Sequence, residues 1–127
     1  MRNNNPLNIR WNRQIQWLGQ IGHDEKGFCQ FKDLLHGVRA VFSNLRSYRV
    51  RHNITKLSDI VGRWAPPNEN NTAKYIADVC SMANLTPDSE IDYRDEEARR
   101  LVKAMARIES NMVLPDDIVL RAQQMIL

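Results

Sequence analysis

The sequence predicts a mainly α fold with a small β-hairpin lobe near the N-terminus, all in one domain spanning residues 1–127. Three observations predict it. The first thirty positions are rich in Asn, Gly and aromatic residues and show no helical period. From about Lys32 apolar residues recur at helical spacing. Pro- and Asn-marked breaks then divide the rest of the chain into further amphipathic segments.

In chain order, Asn3 to Asn8 reads as turns, and Ile9 to Gln20 carries Trp11, Ile15, Trp17 and Leu18. Gly19, Gly22 and Gly27 punctuate the next stretch, and Phe28-Cys29-Gln30-Phe31 reads as one more short extended piece. Leu35, Val38, Val41, Phe42, Leu45 and Tyr48 mark a helix ending near His52-Asn53. Thr55 is the expected cap of a second helix with Leu57, Ile60, Val61 and Trp64 on its face, stopped by Ala65-Pro66-Pro67. After a polar loop at 68–71, Asn71 or Thr72 begins a third helix through Tyr75, Ile76, Val79 and Met82. The longest helix is expected from Asp95 to about Asn111, with Ala98, Leu101, Val102, Met105 and Ile108 inward. Pro115 opens a last one carrying Ile118, Val119, Ala122 and Met125.

Composition bounds the function. The chain has 127 residues, enough for one real core but not two. No apolar run approaches the roughly 20 residues that span a bilayer, and the opening Met1-Arg2-Asn3-Asn4-Asn5-Pro6 lacks the apolar core of a secretory signal. The expectation is synthesis in the cytoplasm, with any work on the periplasmic wall requiring a delivery route such as a virion or a secretion machine. A net charge of +3 suits a polyanionic partner, yet no Lys/Arg block, zinc-finger spacing or RNA-binding motif appears. His23, His36 and His52 are scattered, so neither a metal nor an organic cofactor is expected. Cys29 and Cys80 lack metal-ligand spacing and read as free core thiols, with a single disulfide left open.

The informative carboxylate is Glu109. Ala98, Val102 and Met105 lie on its helical face by steps of three and four, so it projects at the margin of an apolar stripe near a helix C-terminus. Desolvation and the negative end of the helix dipole both favour its protonated form. A protonated carboxyl is what protonating a glycosidic oxygen requires. The plain alternative is a surface Glu in a last turn.

Resemblance extends this reading. Ile108-Glu109-Ser110 is similar to the catalytic helix end of glucosaminidase-type and transglycosylase-type lysozyme-like enzymes. Asn3 to Arg10 resembles the Asn-Asn-x-x-Gly-Ile-Lys segment of the glucosaminidase family, with Asn8 where that family has Gly. Gly27 to Phe31, Gly37 to Ala40 and Leu45 to Tyr48 resemble its aromatic strand and following helix. Arg63-Trp64-Ala65-Pro66-Pro67 through Ile76 resembles its Tyr-Ala…Asn-Tyr segment. The order differs, because the matching Glu follows the Asn-rich segment here. A circular permutation accounts for that order and requires the helix end at Glu109 to meet Asn3–Asn8. The opening also resembles that of small phage and prophage proteins described as wall-degrading or virion-associated.

The resemblance implies a lysozyme-like α+β fold that cuts the β-1,4 glycosidic bonds of peptidoglycan glycan strands, as a muramidase or lytic transglycosylase. It implies Glu109 as general acid and Tyr75 on the wall of the sugar site. Asn5, Asn8, Gln30 and Trp64 are further candidates for binding sugar, although Asn in turns commonly serves its own backbone. Asp24 and Glu25, in the Gly-flanked loop of the lobe, are candidates for a second carboxylate; a solvated turn is their plain alternative. Two other functions compete: a non-catalytic virion or peptidoglycan-binding protein of the same fold, and a nucleic-acid binder using Arg39, Arg46, Arg49 and Arg51. The second ranks lower because those arginines do not share one helical face.

Overall fold

In the computed structural model, residues 3–68 and 70–127 are described; Met1, Arg2 and Glu69, the last inside the loop expected at 68–71, lie outside it. Among the described residues the chain forms β1 (Gln20–His23), β2 (Cys29–Phe31) and five helices. These are α1 (Leu34–His52), α2 (Leu57–Trp64), α3 (Thr72–Ala83), α4 (Glu96–Ser110) and α5 (Asp116–Gln124).

β1 and β2 pair antiparallel with an irregularity between Gln20 and Gly22. The N-terminal segment runs beside β2 almost as a third strand. The Cys29 amide donates to the Ile9 carbonyl at 2.9 Å, and the Phe31 amide to that of Asn3 at 2.9 Å. Two side chains hold this lobe. Asn5 is buried and donates to the Ile9 and Cys29 carbonyls, both at 3.0 Å, while its oxygen accepts from the Ile9 amide at 2.9 Å. Asp24 is buried, and its Oδ1 accepts the amides of Lys26 and Phe28 at 3.0 and 2.9 Å.

The lobe sits directly on α1, and Gly37 makes that approach possible. A Cβ at Gly37 would collide with the carbonyl oxygen of Asn4 and crowd the Pro6 ring. α1 starts at Asp33, whose carboxylate accepts from the His36 amide at 2.9 Å. It packs against α5, and α3 packs against α4. Phe31, Phe42, Leu57, Leu101 and Met105 are fully buried between these layers, each contributing about 1.5–3 kcal/mol from area removed from water.

α1, α3 and α4 all end on asparagine in the left-handed region: Asn53, Asn84 and Asn111, each at φ 54°. After glycine, asparagine takes that conformation most readily, and it frees the chain to turn away from the helix axis.

Several sequence expectations need correction. α1, with 19 residues, is longer than α4, with 15. The cap of α2 is Lys56 rather than Thr55, because the 55–57 segment pairs with the 89–91 loop before the helix begins. Asp95 is at the cap of α4 but makes no side-chain capping bond. Met82 and Met125 face outward, at 55% and 40% exposure. The inward residue near the end of α5 is Gln123, which a hydrophobic pattern cannot reveal. Its amide nitrogen donates to the carbonyls of Tyr93 and Asp95, both at 2.9 Å, and its oxygen accepts from Arg99 at 3.0 Å. Cys29 and Cys80 are free thiols, both pushed up by burial. No described helix is long and apolar enough to cross a membrane.

Candidate active site

Glu109 lies in the last turn of α4, half-buried, on the floor of a groove of about 760 Å³. The stripe of Ala98, Val102 and Met105 anchors this face of the helix in the core, so the carboxylate emerges where the stripe meets the groove. Ser110 ties the helix end to the N-terminal turn, its hydroxyl donating to the Pro6 carbonyl at 2.9 Å.

Two distant residues hold the carboxylate. The Tyr75 hydroxyl, from α3, donates to Oε2 at 2.9 Å. The Asn8 amide nitrogen donates to Oε1 at 3.2 Å and to the Glu109 backbone carbonyl at 3.2 Å. Each oxygen thus takes one side-chain donor, which leaves lone pairs on both for a proton or a substrate atom. Burial, reinforced by the charge of Glu109 and its hydrogen bond, pushes the Tyr75 phenol well above its ordinary range. Tyr75 is therefore a permanent donor to the carboxylate. Asn8 is itself at φ 53°, and that left-handed turn aims its side chain at the helix end.

The structure brings together Glu109, Asn8, Tyr75 and Trp64, and it separates the other candidates. Trp64 lines the groove, and its indole N–H donates to the Leu7 carbonyl at 3.4 Å. Tyr75 is 8% exposed and gives its hydroxyl to Glu109, so it positions the carboxylate rather than lining the groove. Asn5 is consumed by its own backbone, which removes it from the sugar-binding set. Gln30 faces Asn3 on the lobe, its amide donating at 3.4 Å, and is not part of the groove lining. Neither Asp24 nor Glu25 lines the groove: Asp24 bonds its own loop and the Asn3 side chain, and Glu25 is exposed beside it. Among the described residues Glu109 is the only carboxylate lining the groove.

Sequence reasoning missed several groove residues. Asn12, Asn44 and Asn70 line it beside Asn8. Tyr48, read as core, shows one edge to the groove and meets Trp64 edge-on at 6.2 Å between ring centroids. The Tyr48 phenol is pushed up to about 12 by burial, against the opposing charge of Arg63. The Arg63 guanidinium lies 5.8 Å from the centre of the Tyr48 ring. The available signal was spacing: Asn44 and Tyr48 are one turn apart at the margin of the apolar stripe of α1. Amide side chains beside aromatic edges suit a ligand with many hydroxyl and acetamido groups and apolar ring faces. No group of His, Cys, Asp and Glu able to hold a metal ion occurs among the described residues.

No family model matches the chain. It is similar to protein P5 of Pseudoalteromonas phage PM2, 35% identical over 113 residues that cover 87% of this chain and 69% of that protein. It is also similar to guanylate cyclase activator 2B of Sus scrofa, 32% identical over 79 residues that cover 61% of this chain and 70% of that protein. The two relatives share no activity by name. The phage match spans more of this chain, 87% against 61%.

Proposed function

The chain belongs to the family of protein P5 of Pseudoalteromonas phage PM2, a phage-related protein, and from that premise we propose that it cleaves peptidoglycan glycan strands. In this reading the fold is lysozyme-like and circularly permuted, and Glu109 is the general acid at a β-1,4 glycosidic bond. The observation that carries it is the carboxylate at the groove floor, held from both sides by Tyr75 and Asn8. Asn8 lies 101 positions away in sequence, and contact between these two segments is what the permuted order of the matching segments requires. Asn8 in place of the glycine of the glucosaminidase segment it resembles is physically mild, because the position has φ 53° and asparagine tolerates it.

In the proposed reaction Glu109 gives its proton to the glycosidic oxygen as the bond from that oxygen to the anomeric carbon breaks. The carboxylate then takes a proton from the attacking hydroxyl. With water as attacker the product is a reducing end. With the 6-hydroxyl of the same muramic residue it is a 1,6-anhydro end, and one carboxylate suffices for both proton transfers. That second route uses only groups the described groove presents, whereas the usual hydrolytic route needs a second carboxylate about 5–9.5 Å from the first. The site of action is the periplasmic wall, reached with a virion or a secretion machine.

Clearing of a purified cell-wall suspension tests the reading. The wild-type chain is expected to clear it, and Glu109→Gln to clear it at least about 100-fold more slowly. Retention of more than about a tenth of the rate would remove Glu109 as the acid. Binding to the wall without any clearing would favour the non-catalytic, virion-associated alternative.

A further inference from the structure

The groove does not end at Trp17. A second hollow of about 360 Å³ adjoins it and shares Ile15, Trp17 and Asn44 as a common wall. Its floor is the outer ridge of α1, where Ser47, Val50 and Arg51 recur at helical spacing with Arg46 beside them. Val50 is 70% exposed and Ile15 42%, so the hollow has apolar walls open to solvent.

Four arginines gather along the two hollows. Arg10 and Arg63 line the groove, and Arg46 and Arg51 line the hollow. None of the four makes an ion pair among the described residues, although Arg49, Arg94 and Arg100 each meet a carboxylate. Arg10 lies over the Phe28 ring, Arg63 over Tyr48, and Arg46 gives one N–H to the Ile126 carbonyl at 3.0 Å. The C-terminal dipole of α1 accounts for a basic residue at Arg51, but not for the other three. Other surface cations are paired, as Lys74 is with Asp78, Arg100 with Glu96 and Lys103 with Asp116. Against four cations, the described lining of both hollows holds one acid, Glu109.

We infer that the hollow bounded by Trp17, Arg46 and Arg51 is a distal subsite for the carboxylates of the peptide stems on a glycan strand whose sugars occupy the groove. The inference rests on the proposed function for the identity of the polymer. Guanidinium groups match carboxylates in geometry as well as charge, and the apolar walls suit the alanine-rich body of a stem. Continuity of the two hollows means that one strand engages both. Nucleic acid is the competing polyanion, but it leaves the groove's asparagines and the Glu109 carboxylate without a role.

Cosedimentation tests this with Glu109→Gln, which retains the polymer without cutting it. Purified peptidoglycan is compared with the same material after amidase removal of its stems. The chain is expected to bind the stem-bearing material more tightly, with the difference shrinking as salt rises. Adding Arg51→Gln is expected to weaken that binding about three- to five-fold, the scale of an exposed ion pair, and to leave binding to stem-free strands unchanged. Arg51→Lys should retain most of the preference. Equal binding of both materials, equal weakening of both by Arg51→Gln, or tighter binding to a DNA oligonucleotide at the same salt would overturn the subsite. A wild-type chain that shows the stem preference yet releases no glycan fragments would leave the subsite standing and remove the catalytic reading.

Discussion

The hairpin lobe and the end of α4 each hold a carboxylate among hydrogen-bond donors, and they hold it in different ways. Asp24 accepts from amides two and four residues ahead in its own loop and from the Asn3 side chain at 2.9 Å, so its bonds hold the lobe together. Glu109 accepts from side chains 101 and 34 positions away, on separate segments that have no local reason to meet there. Asn5 and Asn8 repeat the contrast three residues apart. Asn5 bonds only backbone groups of the lobe, while Asn8 reaches the carboxylate across the groove. Polar groups that serve local backbone stabilise the fold. Those held by distant side chains at the edge of a groove are the ones the proposed chemistry would use.

Paired substitutions can break this contrast. Glu109→Gln should lower glycan cleavage by at least about 100-fold, with a thermal midpoint close to wild type because the amide fills the same space. Asp24→Ala should do the reverse. It strips part-buried donors of their acceptor at a cost of about 1–3 kcal/mol, read as a fall in denaturant midpoint, while the folded fraction keeps its kcat. An Asp24→Ala chain that is stable but inactive would erase the distinction between the two carboxylates.

Smaller changes sharpen it. Tyr75→Phe removes the donor to Oε2 and should lower kcat by about ten-fold with KM unchanged, since hydrogen bonds to charged groups contribute about 1.5–3 kcal/mol. Because the phenol is held above its ordinary range, its own titration should add no pH dependence to that loss below about 10. An altered stability with unaltered kcat would make Tyr75 a core residue only. Asn8→Gly keeps the left-handed turn and loses only the side-chain donor, so kcat should fall by a few-fold while stability changes by under about 1 kcal/mol. Unchanged kcat would confine Asn8 to its turn.

Most of the helical body is readable because periodicity reports burial directly: the faces of α1, α2 and α4 carry the expected residues inward. Met82, Met125 and Gln123 are not readable this way, since their orientation depends on which helices pack together, and period alone does not encode that. The site is legible in part. Glu109 stands out because it follows an apolar stripe, and Tyr75 and Asn8 because of the resembling segments. Whether a polar side chain bonds its own loop or crosses to another element is a tertiary outcome. Asn5 and Asn8 look alike in sequence and differ only once the N-terminal turn is seated on Gly37. Tyr48 was hidden for the same reason, as one edge of a core ring faces the groove.

Mass spectrometry of the material released from purified peptidoglycan tests the central claim most directly, because it reports both whether a bond is cut and which one. The wild-type chain is predicted to release glycan fragments ending in 1,6-anhydromuramic acid, and Glu109→Gln to release none above background. Wild-type protein that releases nothing, or fragments that appear equally with Glu109→Gln, would contradict the account.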